Sequence, residues 1–258
     1  MTGEAHLWEK EAHEHLTQEK YEEAYKLFKK AAESFRAEAN HKQSALCFAS
    51  AASCWSIKSG EKTFSNAAKS YEEAAKQAEK SGDLEYASLL YKYAAICFER
   101  DMEPLNFSDC FYRSKECYRR FLFLSILHPK KAHHIAGSER QIGPKSFIRS
   151  LLMYLALTFS FLIWGHGERP VRTFYTGITL IFLCAFFYTQ GTLIGGGLPF
   201  KPDISQSLYL SVTTFTTVGY GDIAPVGILR LAAMAEAFCG VFLVSLFAIG
   251  LSRKYLRA

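Results

Sequence analysis

The run from Ile228 to Leu251 is long enough to cross a bilayer as one helix and contains only two charged residues, Arg230 and Glu236. A second run, residues 173–190, is uncharged and lies near the minimum spanning length. The intervening stretch, Gly191 to Gly227, is too polar and too rich in Gly and Pro to cross as a third helix. In hydrocarbon every backbone N–H and C=O needs a partner, so such a stretch enters a membrane only where protein or water covers it. Two spanning helices with a re-entrant segment between them are what this half of the chain can form.

The other half belongs to a different solvent. Residues 1–120 are rich in Ala, Glu, Lys and Tyr and contain no long apolar run, an asymmetry that the overall 49% hydrophobic content conceals. The net charge of +5 is unevenly placed: Arg119, Arg120, Lys130, Lys131, Arg140, Lys145 and Arg149 gather before the first hydrophobic stretch, opposed there by Glu139. A basic collar beside membrane segments predicts a cytoplasmic position and contact with anionic lipid headgroups. No aromatic or groove-reading element accompanies it, so no nucleic-acid partner is expected. Seven cysteines (Cys47, Cys54, Cys97, Cys110, Cys117, Cys184, Cys239) form no C-x-x-C pair and read as reduced core residues, neither a zinc site nor a disulfide framework. The chain shows no N-terminal secretory leader, which points the same way.

Within the soluble half the sequence repeats. An offset of 43 residues aligns Ala24 with Ala67, Phe28 with Tyr71, Ala31-Ala32 with Ala74-Ala75, Leu46 with Leu89, Phe48 with Tyr91, Ala51-Ala52 with Ala94-Ala95, Cys54 with Cys97 and Trp55 with Phe98. One unit therefore holds two helices, whose small residues permit close approach while aromatics fill the gaps. Turns are expected at Ser59-Gly60 and Ser81-Gly82-Asp83, and Pro104 starts a further helix after Asp101. The period exceeds the 34 residues of a tetratricopeptide unit. Over residues 15–120 the pattern resembles the longer hairpins of soluble NSF attachment proteins, which implies an array of about two and a half hairpins offering a groove to a protein partner or mediating self-association. His6, His13, His15, His133 and His134 form no metal pattern, since His13-Glu14-His15 is not H-E-x-x-H. Nothing in the array reads as catalytic.

Residues 147–164 are a third hydrophobic stretch, of which only Leu151 to Trp164 is free of charge. That is short for a crossing, and both flanks are basic. The expectation is a helix lying in the inner interface as a slide helix, with Arg149, Ser150, Tyr154 and Thr158 as its polar stripe, followed by the turn Gly165-His166-Gly167-Glu168-Arg169-Pro170.

Inside the re-entrant stretch, Pro202-Asp203 followed by Gln206 is a helix start with Asp203 as N-cap, predicting a pore helix over 203–215. Its carbonyl end would point at the bilayer interior, where it favours a cation. There follows Thr217-Val218-Gly219-Tyr220-Gly221-Asp222. In the order outer helix, pore helix, this motif, inner helix, the chain resembles the potassium channel superfamily of the two-transmembrane-helix type. A chance β-turn of a soluble protein is excluded by the flanking membrane segments. Gly219 and Gly221 allow the positive φ values that turn consecutive carbonyls to one side. The resemblance implies that the carbonyls of Thr217, Val218, Gly219 and Tyr220, with the Thr217 hydroxyl, replace water around a K+ ion. It implies Tyr220 wedged against the pore helix, Val218 packed behind the filter, and Asp222 bonded to a pore-helix group, with Tyr209 the first candidate. Many family members carry Trp near Tyr209. One loop cannot enclose an ion, and the family assembles as a homotetramer.

In the inner helix Gly240 falls at the family's hinge position, and either bending or close helix packing accounts for it. Val241, Val244, Ala248 and Ser252 recur on one face and are expected to line a cavity. Glu236 is an expensive group inside a spanning helix. Some relatives place an acid behind the filter at the position of Thr213, and Glu236 is expected to supply that bond from the inner helix.

The expected architecture is all-α: a cytosolic helical-repeat domain over 1–120, a basic linker over 121–146, an interfacial helix and turn over 147–172, and a pore domain over 173–258. The pore domain comprises an outer helix 173–190, a pore helix 203–215, a filter 216–222 and an inner helix 228–251. Both termini are expected in the cytoplasm of a multi-pass cell-membrane protein, and no regulatory domain is expected after Arg253-Lys254. The expected function is passive K+ conduction without cofactor or enzymatic step. A less selective cation channel and a membrane-tethered adaptor are the alternatives; the first would usually lose Gly-Tyr-Gly, and the second leaves the motif unexplained.

Overall fold

The structure, a computed structural model, describes residues 2–57, 63–128 and 144–256. The Ser59-Gly60 turn, His133, His134, Glu139 and the collar residues Lys130, Lys131 and Arg140 lie outside the described residues, as does the side chain of Lys145. The described residues are predominantly helical and fall into two compact units, one within residues 1–159 and one spanning Ser160–Leu256.

The first unit contains α1 (Thr2–Thr17), α2 (Tyr21–Ala37), α3 (His41–Ile57), α4 (Thr63–Lys80), α5 (Leu84–Arg100) and α6 (Pro104–Leu127), each packed on the next. The helices α3 and α5 are displaced by the repeat offset at both ends. Ala24, Ala31, Ala32, Ala51, Ala52, Ala67, Ala74, Ala75, Ala94 and Ala95 are all buried, so the small-residue positions are where helices touch. Serines add cross-links: the Ser44 hydroxyl donates to the Ala32 carbonyl at 2.8 Å, and that of Ser114 to the Ser88 carbonyl at 2.8 Å. Asp83 caps α5 by accepting from the Tyr86 amide at 3.1 Å, and Pro104 opens α6 at a first-turn position where no amide is missed.

The helix α1 packs on α2 through buried Ala5 and Ala12, so the array extends ahead of residue 15, where the resemblance began, within the expected domain over 1–120. Leu46 and Leu89, paired by the repeat, both face outward. Arg119 and Arg120 belong to the array and are neutralised within it, Arg119 by a two-pronged pair with Glu116 at 2.7 and 3.0 Å, Arg120 by Glu79 at 2.7 Å.

The helix α7 (Pro144–Trp164) is longer than its charge-free segment suggested. By length and composition it is one of three helices among the described residues able to cross a membrane, so shortness no longer argues against a crossing. Its exposed face carries Leu152, Met153, Leu155, Phe159 and Leu162, while Ser150, Tyr154 and Thr158 are half-buried and Arg149 is exposed.

The second unit continues through a single 3-10 turn (Gly165–Gly167) into α8 (Pro170–Thr189), β1 (Leu193–Gly195), β2 (Leu198–Phe200), α9 (Ile204–Phe215), β3 (Ile223–Pro225) and α10 (Ile228–Leu256). The helix α8 starts three residues before the expected outer helix, at Pro170, and α10 extends past the expected Leu251. The strands form a small antiparallel sheet of order β2-β1-β3, unforeseen in an all-α reading. Gly196 and Gly197, with φ of +57° and +82°, make the two-residue hairpin between β1 and β2. Pairing of Ile194 with Ala224 then ties the segment after the motif back to the outer loop. Tyr188, Leu193, Leu210 and Leu229 form the buried core here.

Five cysteines, Cys47, Cys54, Cys97, Cys110 and Cys117, are buried in the array as expected, but Cys239 is exposed on α10. Burial pushes the thiols of Cys47, Cys110 and Cys117 up to about 12 and that of Cys54 up to about 11. They stay protonated and unreactive near neutral pH. In the folded chain these four should resist iodoacetamide and react only after denaturation, as read by mass spectrometry of peptides; alkylation of the native protein at these positions contradicts the packing described.

Candidate functional site

The helix α9 is fixed at three levels. At its start Asp203 accepts from the Gln206 amide at 2.6 Å and the Gln206 side chain accepts from the Asp203 amide at 3.0 Å, a complete capping box. Midway, the Ser211 hydroxyl contacts the Ile181 carbonyl on α8 at 2.8 Å and also contacts Glu236 on α10. At its end Phe215 sits in a notch between two glycines. A Cβ on Gly177 of α8 would lie 3.1 Å from the Phe215 ring, and one on Gly240 of α10 would lie 2.1 Å from the Phe215 carbonyl oxygen. Gly240 is therefore a position of backbone contact: of the two readings of this glycine, close packing is the one with a partner.

From this anchored helix the chain turns into residues 216–222. The Thr216 amide donates to the Val212 carbonyl at 3.0 Å, that of Thr217 to Thr214 at 3.1 Å and that of Gly219 to Thr213 at 3.1 Å. The loop then runs free. Thr217, Gly219 and Gly221 have φ of +60°, +52° and +79°, so alternate residues are left-handed. Glycine meets this freely, whereas Thr217 bears about 1–2 kcal/mol of steric cost as an L-residue. The alternation thus begins at Thr217, two residues before the first of the two glycines that the sequence singled out. Among the described residues no hydrogen bond ends on the carbonyls of Thr217, Val218, Gly219, Tyr220 or Gly221. A Cβ at Gly219 or Gly221 would meet nothing within 4 Å, so space rather than protein lies beside the loop.

Tyr209 and Asp222 are brought together: the Tyr209 hydroxyl donates to Asp222 Oδ2 at 2.9 Å. The Tyr220 ring stacks on Tyr209 with centroids 6.4 Å apart and planes 5° apart. One aromatic residue thus contacts the loop at two points. Val218 is 53% exposed, so within one chain it packs behind nothing.

Thr213 and Glu236, both expected to support the filter, make no side-chain hydrogen bond to the loop. The Thr213 hydroxyl turns back onto its own helix, donating to the carbonyls of Tyr209 or Leu210, each at 3.0 Å. It does not meet Glu236; the contribution of Thr213 to the loop is its carbonyl. Glu236, 2% exposed, instead accepts from the Tyr188 hydroxyl at 2.6 Å and contacts Ser211. Tyr188 lies 48 residues away in sequence, and no local signal marks it as a partner beyond being a hydroxyl in an apolar run. The helix α10 is two-faced. Glu236, Gly240, Leu243 and Gly250 are buried, with Pro170 of α8 against Gly250, while Val241, Val244, Ala248 and Ser252 lie exposed on the other side.

Chemically, the arrangement offers consecutive backbone oxygens with no hydrogen-bond donor among the described residues, next to a helix anchored at both ends. Such oxygens suit a cation. The described residues contain no cluster of His, Cys, Asp or Glu with metal-ligand geometry.

Comparison with known proteins agrees with this part of the chain. Residues 171–256 match the family model described as "Ion channel". Protein LctB of Geobacillus stearothermophilus is 57% identical over 37 residues, and Protein LctB of Bacillus caldotenax is 51% identical over 37 residues. Each match covers 14% of this chain and 28% of the relative, so the chain spans little more than a quarter of the length of these curated proteins. No solved structure matches. Over residues 171–256 the chain is thus similar to the ion-channel family, and among the described residues its long apolar helices are able, by length and composition, to cross a membrane.

If Gly240 is a packing position, Gly240→Ala must displace backbone. Overpacking of about 1–3 kcal/mol then outweighs the roughly 1 kcal/mol that a helix gains on replacing Gly by Ala. The thermal midpoint of the solubilised protein should fall; a rise would contradict the contact with Phe215.

Proposed function

We propose that this chain is the subunit of a potassium-selective channel that conducts K+ passively down its electrochemical gradient. The observation that carries the reading is the loop at Thr217–Gly221, whose alternating backbone leaves successive carbonyls without protein donors. Dehydrated K+ needs several oxygens at once, and a ring of such loops provides them. One loop cannot enclose an ion, and the resemblance to two-helix potassium channels implies four copies around an axis, so the proposed functional unit is a homotetramer. The exposed face of α10 at Val241, Val244, Ala248 and Ser252 then lines the cavity below the filter. The carbonyl end of α9 adds a favourable potential for the cation there.

The helix α7 serves as an interfacial slide helix, with its Leu152, Leu155, Phe159 and Leu162 face in lipid and Arg149 at the headgroups. Both termini are then cytoplasmic. The array bears on gating by binding a protein partner, and anionic lipid gathers at the basic linker.

Bi-ionic reversal potentials of the purified protein in planar bilayers test the central reading. With K+ on one side and Na+ on the other, the potential should approach the K+ limit. A value near zero identifies a non-selective cation channel, and absence of current identifies a tethered adaptor. Replacing Gly219 by Ala should abolish K+ current by straining the left-handed position, with the protein still inserted in the membrane.

A further inference from the structure

The contacts around Glu236 contain a proton count. The Ser211 Oγ lies 2.8 Å from the Ile181 carbonyl oxygen and also in hydrogen-bond contact with Glu236 Oε1. The hydroxyl owns one proton, and the carbonyl has none to give. When Ser211 donates to Ile181, its contact with Glu236 holds a hydrogen only if Glu236 supplies it. The other carboxyl oxygen, Oε2, accepts from Tyr188 at 2.6 Å. With a neutral acid every link has its own proton: Tyr188 to Oε2, Oε1–H to Ser211, Ser211 to Ile181. With a carboxylate, one link becomes two oxygens facing each other without a hydrogen.

The surroundings agree. The titratable groups facing Glu236 are Tyr188 and Cys184 from α8, with Cys239 of α10 beside Cys184; from α9 it meets Ser211. None is basic, so a buried negative charge would be offset only by hydrogen bonds from Ser211, Tyr188 and Cys184, and burial, which is costly for a charge within a spanning helix, outweighs them.

We propose that Glu236 is held as the neutral carboxylic acid and that its proton is the link positioning the pore helix α9 between α8 and α10. Loss of that proton breaks the chain to Ile181 and loosens the helix that carries the filter, so conduction falls as pH rises. Glu236 is a positioning residue: it touches no ion, and it acts through Ser211.

The test uses the full-length protein in liposomes with two readouts. Infrared difference spectra of wild type against Glu236→Gln should contain a protonated-carboxyl stretch at neutral pH, and Ser211→Ala should shift that band without removing it. Potassium flux should fall several-fold from acid to alkaline pH in wild type, and the acid-to-alkaline ratio should collapse to unity in Glu236→Gln, whose amide donates to Ser211 and accepts from Tyr188. Absence of the carboxyl band overturns the proposal whatever the flux. A band with an unchanged pH ratio in Glu236→Gln overturns the coupling. The inference of conduction control rests on the channel reading. A wild-type protein that shows the band but passes no ion refutes that reading and the coupling, and leaves the protonated state standing.

Discussion

A peptide carbonyl without a donor is expensive away from water, and the loop after α9 has several in succession. Such a backbone persists only if its shape is imposed from outside and its oxygens find another partner. The rest of the C-terminal unit can be understood as the imposition. The capping box at Asp203 and Gln206 fixes one end of α9, and the glycine notch around Phe215 fixes the other. Tyr209 reaches forward to hold Asp222 and stack on Tyr220, and the strand β3 ties the exit of the loop to the hairpin β1–β2. On the proposed reading those oxygens are partnered by the permeant cation. On this account selectivity follows from rigidity: the oxygens are arranged before the ion arrives and do not collapse onto a donor of their own.

The same logic explains why small residues cluster where they do. Gly177 and Gly240 let α8 and α10 approach α9 at its carbonyl end, and Gly250 admits Pro170 where α8 begins. In the helical array alanine does this work, bringing successive helices close while buried aromatics such as Phe28, Phe48, Tyr91 and Phe98 fill the space between. Both units depend on backbone approach, and they meet the need with different residues because Gly lowers the stability of a helix in water by about 1 kcal/mol relative to Ala. Within a membrane, neighbouring helices and the absence of competing water make glycine tolerable.

Legibility of the sequence varied with the range of the interaction. Local chemistry was read directly: Asp203 as a cap, Pro104 as a helix start, the positive φ of Gly219 and Gly221, and the offset that carries α3 onto α5. The hairpin at Gly196-Gly197 was readable in principle, since paired glycines between apolar residues are a turn signal, but a polar, glycine-rich stretch drew attention to the membrane problem instead. Left-handed turn positions at Glu19, Ala39 and Met102 could not be read, because none is glycine, although each closes its helix by local backbone bonds such as those from the Lys20, Asn40 and Glu103 amides to the His15, Phe35 and Phe98 carbonyls. The partners of Glu236 were the largest miss. A buried acid announces that it has partners but not which, and Tyr188 and Ser211 reach it only because three helices converge. Likewise the charge pairs of Arg119 and Arg120 depend on the packing of α6, which a charge count along the chain cannot see.

The central claim is that the Thr217–Tyr220 carbonyls coordinate a dehydrated monovalent cation on an axis shared by four subunits. Anomalous diffraction from crystals of the full-length protein grown with thallium(I) as a K+ substitute tests it most directly. The account predicts a column of anomalous peaks on a four-fold axis, each ringed by oxygens of Thr217, Val218, Gly219 and Tyr220. A particle without that symmetry, or one with the axis present and no cation density beside these carbonyls, would contradict it.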